Sequence, residues 1–183
     1  MCIRDSSKQI YTPYSLTEPY IVAHGGSSFG SASFSPRTQL VYITGKNGAI
    51  SLTVRPVGDS LTPGPDGRGH TENYASLDRV SEAYPASTTV SAYSPIDGEQ
   101  VWQAELPAQS AIGASGNLVT AGDLIFQGLE SGAFHALDAE NGETLFVYQT
   151  SRSIRSSPLT YAVEGRQYIS VVSTNTVVTL TLP

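Results

Sequence analysis

The sequence is poor in cysteine and in charge, and each shortage excludes a class of protein. Cys2 is the only cysteine of the 183-residue chain, which excludes an internal disulfide, a cysteine-rich zinc site and a CxxCH haem-attachment motif. Charged residues make up only 14% of the chain, and 10 Lys and Arg face 16 Asp and Glu. A basic surface for nucleic acid is therefore not expected. No apolar run approaches the roughly 20 residues of a membrane span.

The first six residues, Met1 to Ser6, resemble a translated sequencing-adapter scar of the kind found at the start of metagenomic reading frames. We expect this segment to be an artefact and leave it out of the fold prediction. It contains Cys2 and the only methionine, so we expect the rest of the chain to carry no thiol. A native N-terminus would then be missing, and export could not be judged from the sequence.

Frequent turn residues and an internal repeat predict short strands instead of long helices. The chain has 17 Gly and 11 Pro, which interrupt it too often for long helices. Ala92–Trp102 can be aligned with Ala136–Phe146 at an interval of 44 residues, the length of one four-stranded propeller blade. Asp-Gly and Asn-Gly dipeptides mark a hairpin turn in each copy. We expect Trp102 and Phe146 to be buried at equivalent positions in successive blades.

Period-2 stretches around the second copy predict one complete blade and parts of two others. The complete blade is expected to consist of four strands over 117–149, namely Asn117–Thr120, Asp123–Gln127, Ala133–Asp138 and Glu143–Gln149. The partial sets are Leu159–Val163, Gln167–Val172 and Val177–Leu182 downstream, and Ala32–Phe34, Leu40–Thr44 and Ala49–Val54 upstream. His135 lies inside a predicted strand, which favours packing within a blade over a site role.

Residues 56 to 87 interrupt this pattern with a cluster of Pro and Gly. We predict a loop insertion between the strands of one blade. Within it, Glu72 to Tyr84 has weak helical spacing, which predicts one or two helical turns.

Four segments, in order, resemble motifs of the quinoprotein dehydrogenases. Gly113–Gly128 resembles their "G-x-L-x-T-A-G-x-L-V-F-x-G" strand pair, and Gly132–Phe146 resembles their repeated "G-x-x-x-A-L-D-A-x-T-G-E-x-L-W" motif. Ser157–Tyr161 followed by Gly165–Ile169 resembles "S-P-x-T-Y…G-x-Q-Y-V". Gly25–Phe29, followed by Phe34–Tyr42, resembles "G-G-x-N-W…F-N-P-x-T-G-L-x-Y".

This resemblance implies an all-β fold, a partial β-propeller of about two and a half four-stranded antiparallel blades out of eight. It also implies pyrroloquinoline quinone (PQQ) as cofactor, calcium in the parent protein, and a periplasmic location. The parent would oxidise an alcohol or sugar hydroxyl and pass electrons to a cytochrome or quinone. The family's catalytic aspartate and metal ligands match no position of this chain, so we expect it to be an inactive C-terminal fragment.

The resemblance also suggests which residues touch the cofactor, namely Gly25, Gly26, Ser28, Phe29 and Asn117. Ser28 stands where the family motif has its PQQ-contacting Asn, and Phe29 stands at the neighbouring Trp. The alternative for Ser28 is a turn residue that caps its own backbone.

A non-enzymatic function remains the alternative to the dehydrogenase. PQQ-like repeats also build propeller scaffolds for protein–protein interaction, as in outer-membrane assembly lipoproteins. Ser28 favours such a scaffold, as does Ala114, which stands where a family motif has Trp. Gly25-Gly26 and Thr120-Ala121-Gly122 favour the enzyme.

Overall fold

A computed structural model describes residues 20–23, 26–27, 30–52, 77–80, 86–107 and 115–181. Every regular element within these ranges is a β-strand, which confirms the predicted all-β class. The described part of the chain contains no helix of the length and apolar character that crossing a membrane requires. The strands are β1 Tyr20–Ala23, β2 Ser33–Ser35, β3 Leu40–Asn47, β4 Ala49–Leu52, β5 Leu77–Val80, β6 Ser87–Tyr93, β7 Gln100–Pro107, β8 Asn117–Val119, β9 Leu124–Gly128, β10 Ala133–Asp138, β11 Thr144–Gln149, β12 Leu159–Val163, β13 Arg166–Ser173 and β14 Thr176–Thr181.

The chain divides into two compact units, and the first contains a single three-stranded antiparallel sheet. Its strand order is β1-β4-β5.

Two predictions are wrong for this sheet. The predicted strand at Ala49–Val54 does not join the sheet of β3, since β4 pairs with β1 and β5. The predicted helical turns within 72–84 are replaced at Leu77–Val80 by a strand, because pairing with β4 outweighs a weak helical spacing. Most of the predicted insertion lies outside the described residues.

The second unit contains three antiparallel sheets, and in each of them the order of the strands in the sheet is their order along the chain. Their orders are β2-β3-β6-β7, β8-β9-β10-β11 and β12-β13-β14. We call them sheets I, II and III. The four-stranded blade predicted over 117–149 is confirmed as sheet II, and the downstream set is confirmed as sheet III.

The internal repeat is visible in the pairing register of sheets I and II. Trp102 is the cross-strand partner of Ala92, and Phe146 is the partner of Ala136. In both sheets the register shifts by one residue directly after the alanine. The repeated sequence therefore encodes the same bulged hairpin twice.

Two apolar clusters hold the three sheets together. Sheets I and II share a core whose largest fully buried members are Tyr42, Val90, Ile125 and Leu137. Sheets II and III share a second core around Phe126, Phe134, Ile154, Ile169 and Val171. Successive sheets therefore pack face to face, as propeller blades do.

Trp102 and Phe146 differ in burial although they occupy equivalent register positions. Trp102 is half-buried, and its Nε1 donates a hydrogen bond of 3.2 Å to the carbonyl oxygen of Ala139 in sheet II. Phe146 is 53% exposed, so the prediction that both aromatics are buried is wrong for Phe146. Trp102 contacts the turn after β10, whereas the described part of sheet III ends with β14 and offers Phe146 no corresponding turn.

His135 lies buried in the middle of sheet II, which confirms that it packs within a blade. Burial lowers the pKa of its imidazole below the usual 6.5, so the folded state resists protonation while the unfolded chain accepts a proton. We therefore expect stability to fall as the pH drops below about 6.5. The measurement is the urea midpoint at pH 7.5 and 5.5 for wild type and His135→Phe. The variant should show the smaller acid-induced loss, and equal losses would contradict the expectation.

Candidate functional site

The first strands of sheets I, II and III are preceded by segments of small residues that meet each other. We call these segments, residues 30–31, 115–116 and 156–157, the strand-entry cluster. The Oγ of Ser31 donates a hydrogen bond of 3.0 Å to the Oγ of Ser157, across 126 residues of sequence. A Cβ on Gly116 would collide with both Ser31 and Ser157. The close approach of the three segments therefore depends on a missing side chain.

Gly26 is the one predicted cofactor residue of the Gly25–Phe29 segment that the structure describes. Its N–H donates to the carbonyl oxygen of Lys46 at 2.8 Å, and its carbonyl accepts from the Lys46 N–H at 3.1 Å. Its φ is +96°, and no heavy atom of the described residues lies within 4 Å of where a Cβ would stand. The backbone is thus held beside the end of β3, and none of the described residues fills the space next to it. Gly25, Ser28 and Phe29 lie outside the described residues.

Asn117, the fifth predicted residue, is buried at the start of β8 and joins sheet II to sheet I. Its Nδ2 donates to the carbonyl oxygen of Tyr42 at 3.1 Å and to the Oγ1 of Thr44 at 2.9 Å. Its Oδ1 accepts a hydrogen bond from Ser33. Both N–H donors of the amide are therefore used within the protein, and contact of Asn117 with a cofactor stays a prediction.

A chain of buried side-chain hydrogen bonds continues from Asn117 through Gln127, which sequence reasoning missed. Thr44 Oγ1 donates to Gln127 Oε1 at 2.6 Å, and Gln127 Nε2 donates to Ser115 Oγ at 2.7 Å and to the Gly128 carbonyl at 2.8 Å. Gln127 has no exposed surface. A fully satisfied polar network of this kind fixes one arrangement of the two sheets below the strand-entry cluster.

Three charged residues lie next to this network, and the sequence did not mark them as site residues. We call Lys46, Glu130 and Arg155 the ion cluster. Lys46 Nζ lies 3.1 Å from Glu130 Oε2, and both side chains are almost fully buried, with 5% and 8% exposed. Arg155 lies 3.1 Å from the other carboxylate oxygen, and its side chain is 74% exposed. The cluster joins sheet I at Lys46, sheet II at Glu130 and the segment before sheet III at Arg155, and it lies beside Gly26 through Lys46.

The opposite ends of sheets I and II are joined by a surface ion pair network. Arg37, in the turn after β2, binds Asp123 and lies 2.9 Å from Glu140. The hydrogen bonds from Asp123 and Glu140 raise the pKa of Arg37 above its usual value. These groups are solvent-exposed, so their role is to align the two sheets and their energetic contribution is small.

The site combines serine hydroxyls with the paired charges of the ion cluster. Serine hydroxyls, the open backbone at Gly26 and the ion cluster surround the place where the three first strands begin. Among the described residues, no group of three or more His, Cys, Asp or Glu side chains is arranged to hold a metal ion. The arrangement suits a ligand with carboxylate or carbonyl oxygens.

Comparison with known proteins relates the chain to PQQ-dependent enzymes. Residues 103–169 match the family model described as "Glucose/ethanol/alcohol dehydrogenase, beta-propeller domain". The chain is 34% identical to the dehydrogenase subunit of a quinone alcohol dehydrogenase from Gluconacetobacter polyoxogenes over 91% of its length. It is 30% identical to the quinohemoprotein alcohol dehydrogenase ADH IIB of Pseudomonas putida over 81% of its length.

A solved structure of a related enzyme shows that the fold of the chain is also similar. The crystal structure of quinohemoprotein alcohol dehydrogenase from Comamonas testosteroni matches 85% of the chain with a TM-score of 0.60 and 26% identity. The chain covers 24% of that structure and 24% of the Gluconacetobacter subunit. It thus spans about a quarter of the length of these relatives, and its sheets I, II and III are blades of a quinoprotein-type β-propeller.

Proposed function

We propose, because most of the chain resembles part of quinone-dependent alcohol dehydrogenases, that it is one section, the C-terminal one, of a PQQ-dependent dehydrogenase. The parent protein would oxidise an alcohol or sugar hydroxyl and pass the electrons to a cytochrome or quinone. The observation that carries the proposal is the similarity over 91% of the chain to such a dehydrogenase subunit. The finer points, an eight-bladed propeller, calcium and a periplasmic location, belong to the same proposal.

The described residues fit part of a PQQ site. PQQ is a flat ortho-quinone with three carboxylates, so it needs close backbone approach on its faces and donors at its edge. Gly26 offers backbone that no described side chain covers, and the ion cluster lies beside it through Lys46. PQQ supplies the redox chemistry when bound, and the protein supplies orientation and electrostatics. We assign Gly25, Gly26, Ser28 and Phe29 to the cofactor wall, and Asn117 to its support with cofactor contact as a prediction.

The exposed apolar surface of sheets II and III supports the proposal that further blades cover it. A cleft of about 410 Å³ opens between these two sheets. Apolar side chains on β11 and β12 are 40–54% exposed, namely Leu145, Phe146, Val147, Tyr148, Leu159, Tyr161 and Val163. An apolar surface of this extent is unusual on a free-standing domain and typical of an interface. The fourth strand of sheet III and the next blade are its proposed cover.

The scaffold function is not favoured. The two curated relatives described above are alcohol dehydrogenases. The departures at Ser28 and Ala114 then concern the affinity or subfamily of the enzyme.

The test is to join the chain to the upstream blades encoded by its parent gene and to titrate the product with PQQ and calcium. We expect a quinone absorbance change and dye-linked oxidation of an alcohol or sugar. Ser28→Ala should weaken PQQ binding by about one hydrogen bond, roughly 0.5–1.5 kcal/mol. The matched control is Ser94→Ala, in the turn between β6 and β7, which should bind PQQ like wild type. Absence of both PQQ binding and oxidation would favour the scaffold.

A further inference from the structure

Gln127 lies on β9 of sheet II and has no exposed surface, although its neighbours on the strand, Ile125 and Phe126, are apolar core residues. Burying an amide costs free energy unless its polar atoms are hydrogen-bonded. The two ends of this amide are bonded to different parts of the molecule. Its Oε1 accepts a hydrogen bond of 2.6 Å from Thr44 Oγ1 in sheet I, and its Nε2 donates to Ser115 Oγ at 2.7 Å. The Gln127 amide therefore connects sheet I to the strand-entry cluster.

The hydrogen bonds around Gln127 run in one direction, which fixes the orientation of its amide. Thr44 Oγ1 accepts from Asn117 Nδ2 at 2.9 Å and donates its own proton to Gln127 Oε1. At the other end, Ser115 Oγ donates to the Gly128 carbonyl oxygen at 2.6 Å, so it accepts from Gln127 Nε2. A rotated amide would turn its oxygen toward that same carbonyl, which now accepts from Nε2 at 2.8 Å. The network therefore has a single arrangement, and Ser115 is held in it.

The position of Ser115 determines where the next residue, Gly116, stands. The missing Cβ of Gly116 is what lets Ser31 and Ser157 come together. One residue further, the N–H of Asn117 donates to the carbonyl oxygen of Ser31 at 3.2 Å. A displacement of Ser115 would thus separate the strand-entry segments of sheets I and II.

We propose that Gln127 is a positioning residue for the cofactor site, because it fixes the segment at which the first strands of the three sheets meet. Gln127 is fully buried, so its effect passes through Ser115 to Gly116 and to the serine hydroxyls beside it. Residues that bind a ligand are held to within about 0.5 Å only when packing and hydrogen bonds behind them lock their positions. That the ligand is PQQ rests on the proposed function, whereas the positioning of the strand-entry cluster does not.

Two substitutions of Thr44 separate hydrogen bonding from packing. Thr44 is 1% exposed. Thr44→Val keeps the shape of the side chain and removes the hydroxyl that bonds to Gln127, whereas Thr44→Ser keeps the hydroxyl and removes a methyl group. If the network positions the cluster, Thr44→Val is the damaging substitution, and if packing alone did so, Thr44→Ser would be. Gln127→Met removes the amide itself at a similar side-chain length.

The readout in the 183-residue chain is hydrogen exchange of the Asn117 N–H, which is bonded across the strand-entry cluster to Ser31. The reference is the Asp138 N–H at the opposite end of sheet II, which donates to the Glu143 carbonyl oxygen at 2.8 Å. A general loss of stability accelerates the exchange of both amides, so their ratio reports the local change.

We expect the exchange of Asn117 relative to Asp138 to increase about tenfold or more in Gln127→Met and Thr44→Val, and to stay within about threefold of wild type in Thr44→Ser. The chain joined to its upstream blades is titrated with PQQ in parallel. The Kd for PQQ should rise about tenfold in Thr44→Val and stay within about threefold of wild type in Thr44→Ser.

The two measurements fail independently. Wild-type exchange of Asn117 in Thr44→Val and Gln127→Met, or an equal increase in Thr44→Ser, overturns the positioning of the cluster by Gln127. If exchange responds as expected but Thr44→Val leaves the Kd for PQQ unchanged, the cluster is not part of the cofactor site and the proposal is overturned. Absence of PQQ binding by the wild-type extended protein contradicts the proposed function, and the exchange of Asn117 then decides alone whether Gln127 positions the cluster.

Discussion

Replacing Glu130 by Gln is expected to destabilise the fold by about 3–5 kcal/mol, because it removes a carboxylate that forms an ion pair with an almost fully buried lysine. Lys46 and Glu130 are 5% and 8% exposed and lie 3.1 Å apart. The Gln side chain has nearly the same shape, so packing changes little and the loss reports the charge. A loss of this size is a large share of the 5–15 kcal/mol that stabilises an ordinary domain.

Urea unfolding of wild type and Glu130→Gln gives the measurement. Glu140→Gln is the matched control, since Glu140 is also paired with an arginine but is 65% exposed, and its loss should stay below about 1 kcal/mol. If Glu130→Gln and Glu140→Gln lowered the free energy of unfolding by equally small amounts, the buried pair would not hold sheets I and II together.

The strands and their repeat could be predicted because they depend on local sequence. The 44-residue repeat, its Asp-Gly and Asn-Gly turns and the period-2 stretches all lie within short windows. Sheet II follows these signals from β8 to β11, and even the bulge after Ala92 recurs after Ala136.

The contacts that build the candidate site could not be predicted in this way. Lys46 and Glu130 are 84 residues apart, and Asn117 is 73 residues from Thr44. A single charged residue at the end of a strand is usually solvated, so nothing local marks Lys46 as buried. Gln127 gave one available signal, since a polar residue in the otherwise apolar β9 predicts a buried partner.

Contacts between distant segments also explain two wrong predictions, the helical turns within 72–84 and the burial of Phe146. Leu77–Val80 forms a strand because β4 offers it an edge, which a local helical spacing does not reveal. Phe146 is exposed although its sequence context equals that of Trp102, because burial depends on what the next sheet presents. The residue pattern of a strand therefore predicts which face of the sheet an aromatic side chain occupies. The neighbouring sheet determines whether that side chain is buried.

Trp102→Ala is expected to cost about 3 kcal/mol, whereas Phe146→Ala should cost less than about 1 kcal/mol in the 183-residue chain. The Trp102 ring packs against Tyr42 with centroids 5.8 Å apart and donates to the Ala139 carbonyl. Its surface also fits Gly142, whose φ is +77° and where a Cβ would come within 2.7 Å of the ring. Gly142→Ala should therefore destabilise the chain as well, through both the strained φ and the displaced indole.

The same pair of substitutions tests whether further blades cover sheet III. When the chain is joined to its upstream blades, Phe146 should become covered, and Phe146→Ala should then cost about as much as Trp102→Ala does. The measurement is the change in unfolding midpoint of each variant in the short chain and in the extended protein. Trp102 already contacts sheet II and is the internal control. Trp102→Ala should lower the unfolding midpoint by the same amount in the short chain and in the extended protein. A cost for Phe146→Ala that stays below about 1 kcal/mol in the extended protein would show that the apolar cleft between sheets II and III is not where the propeller continues.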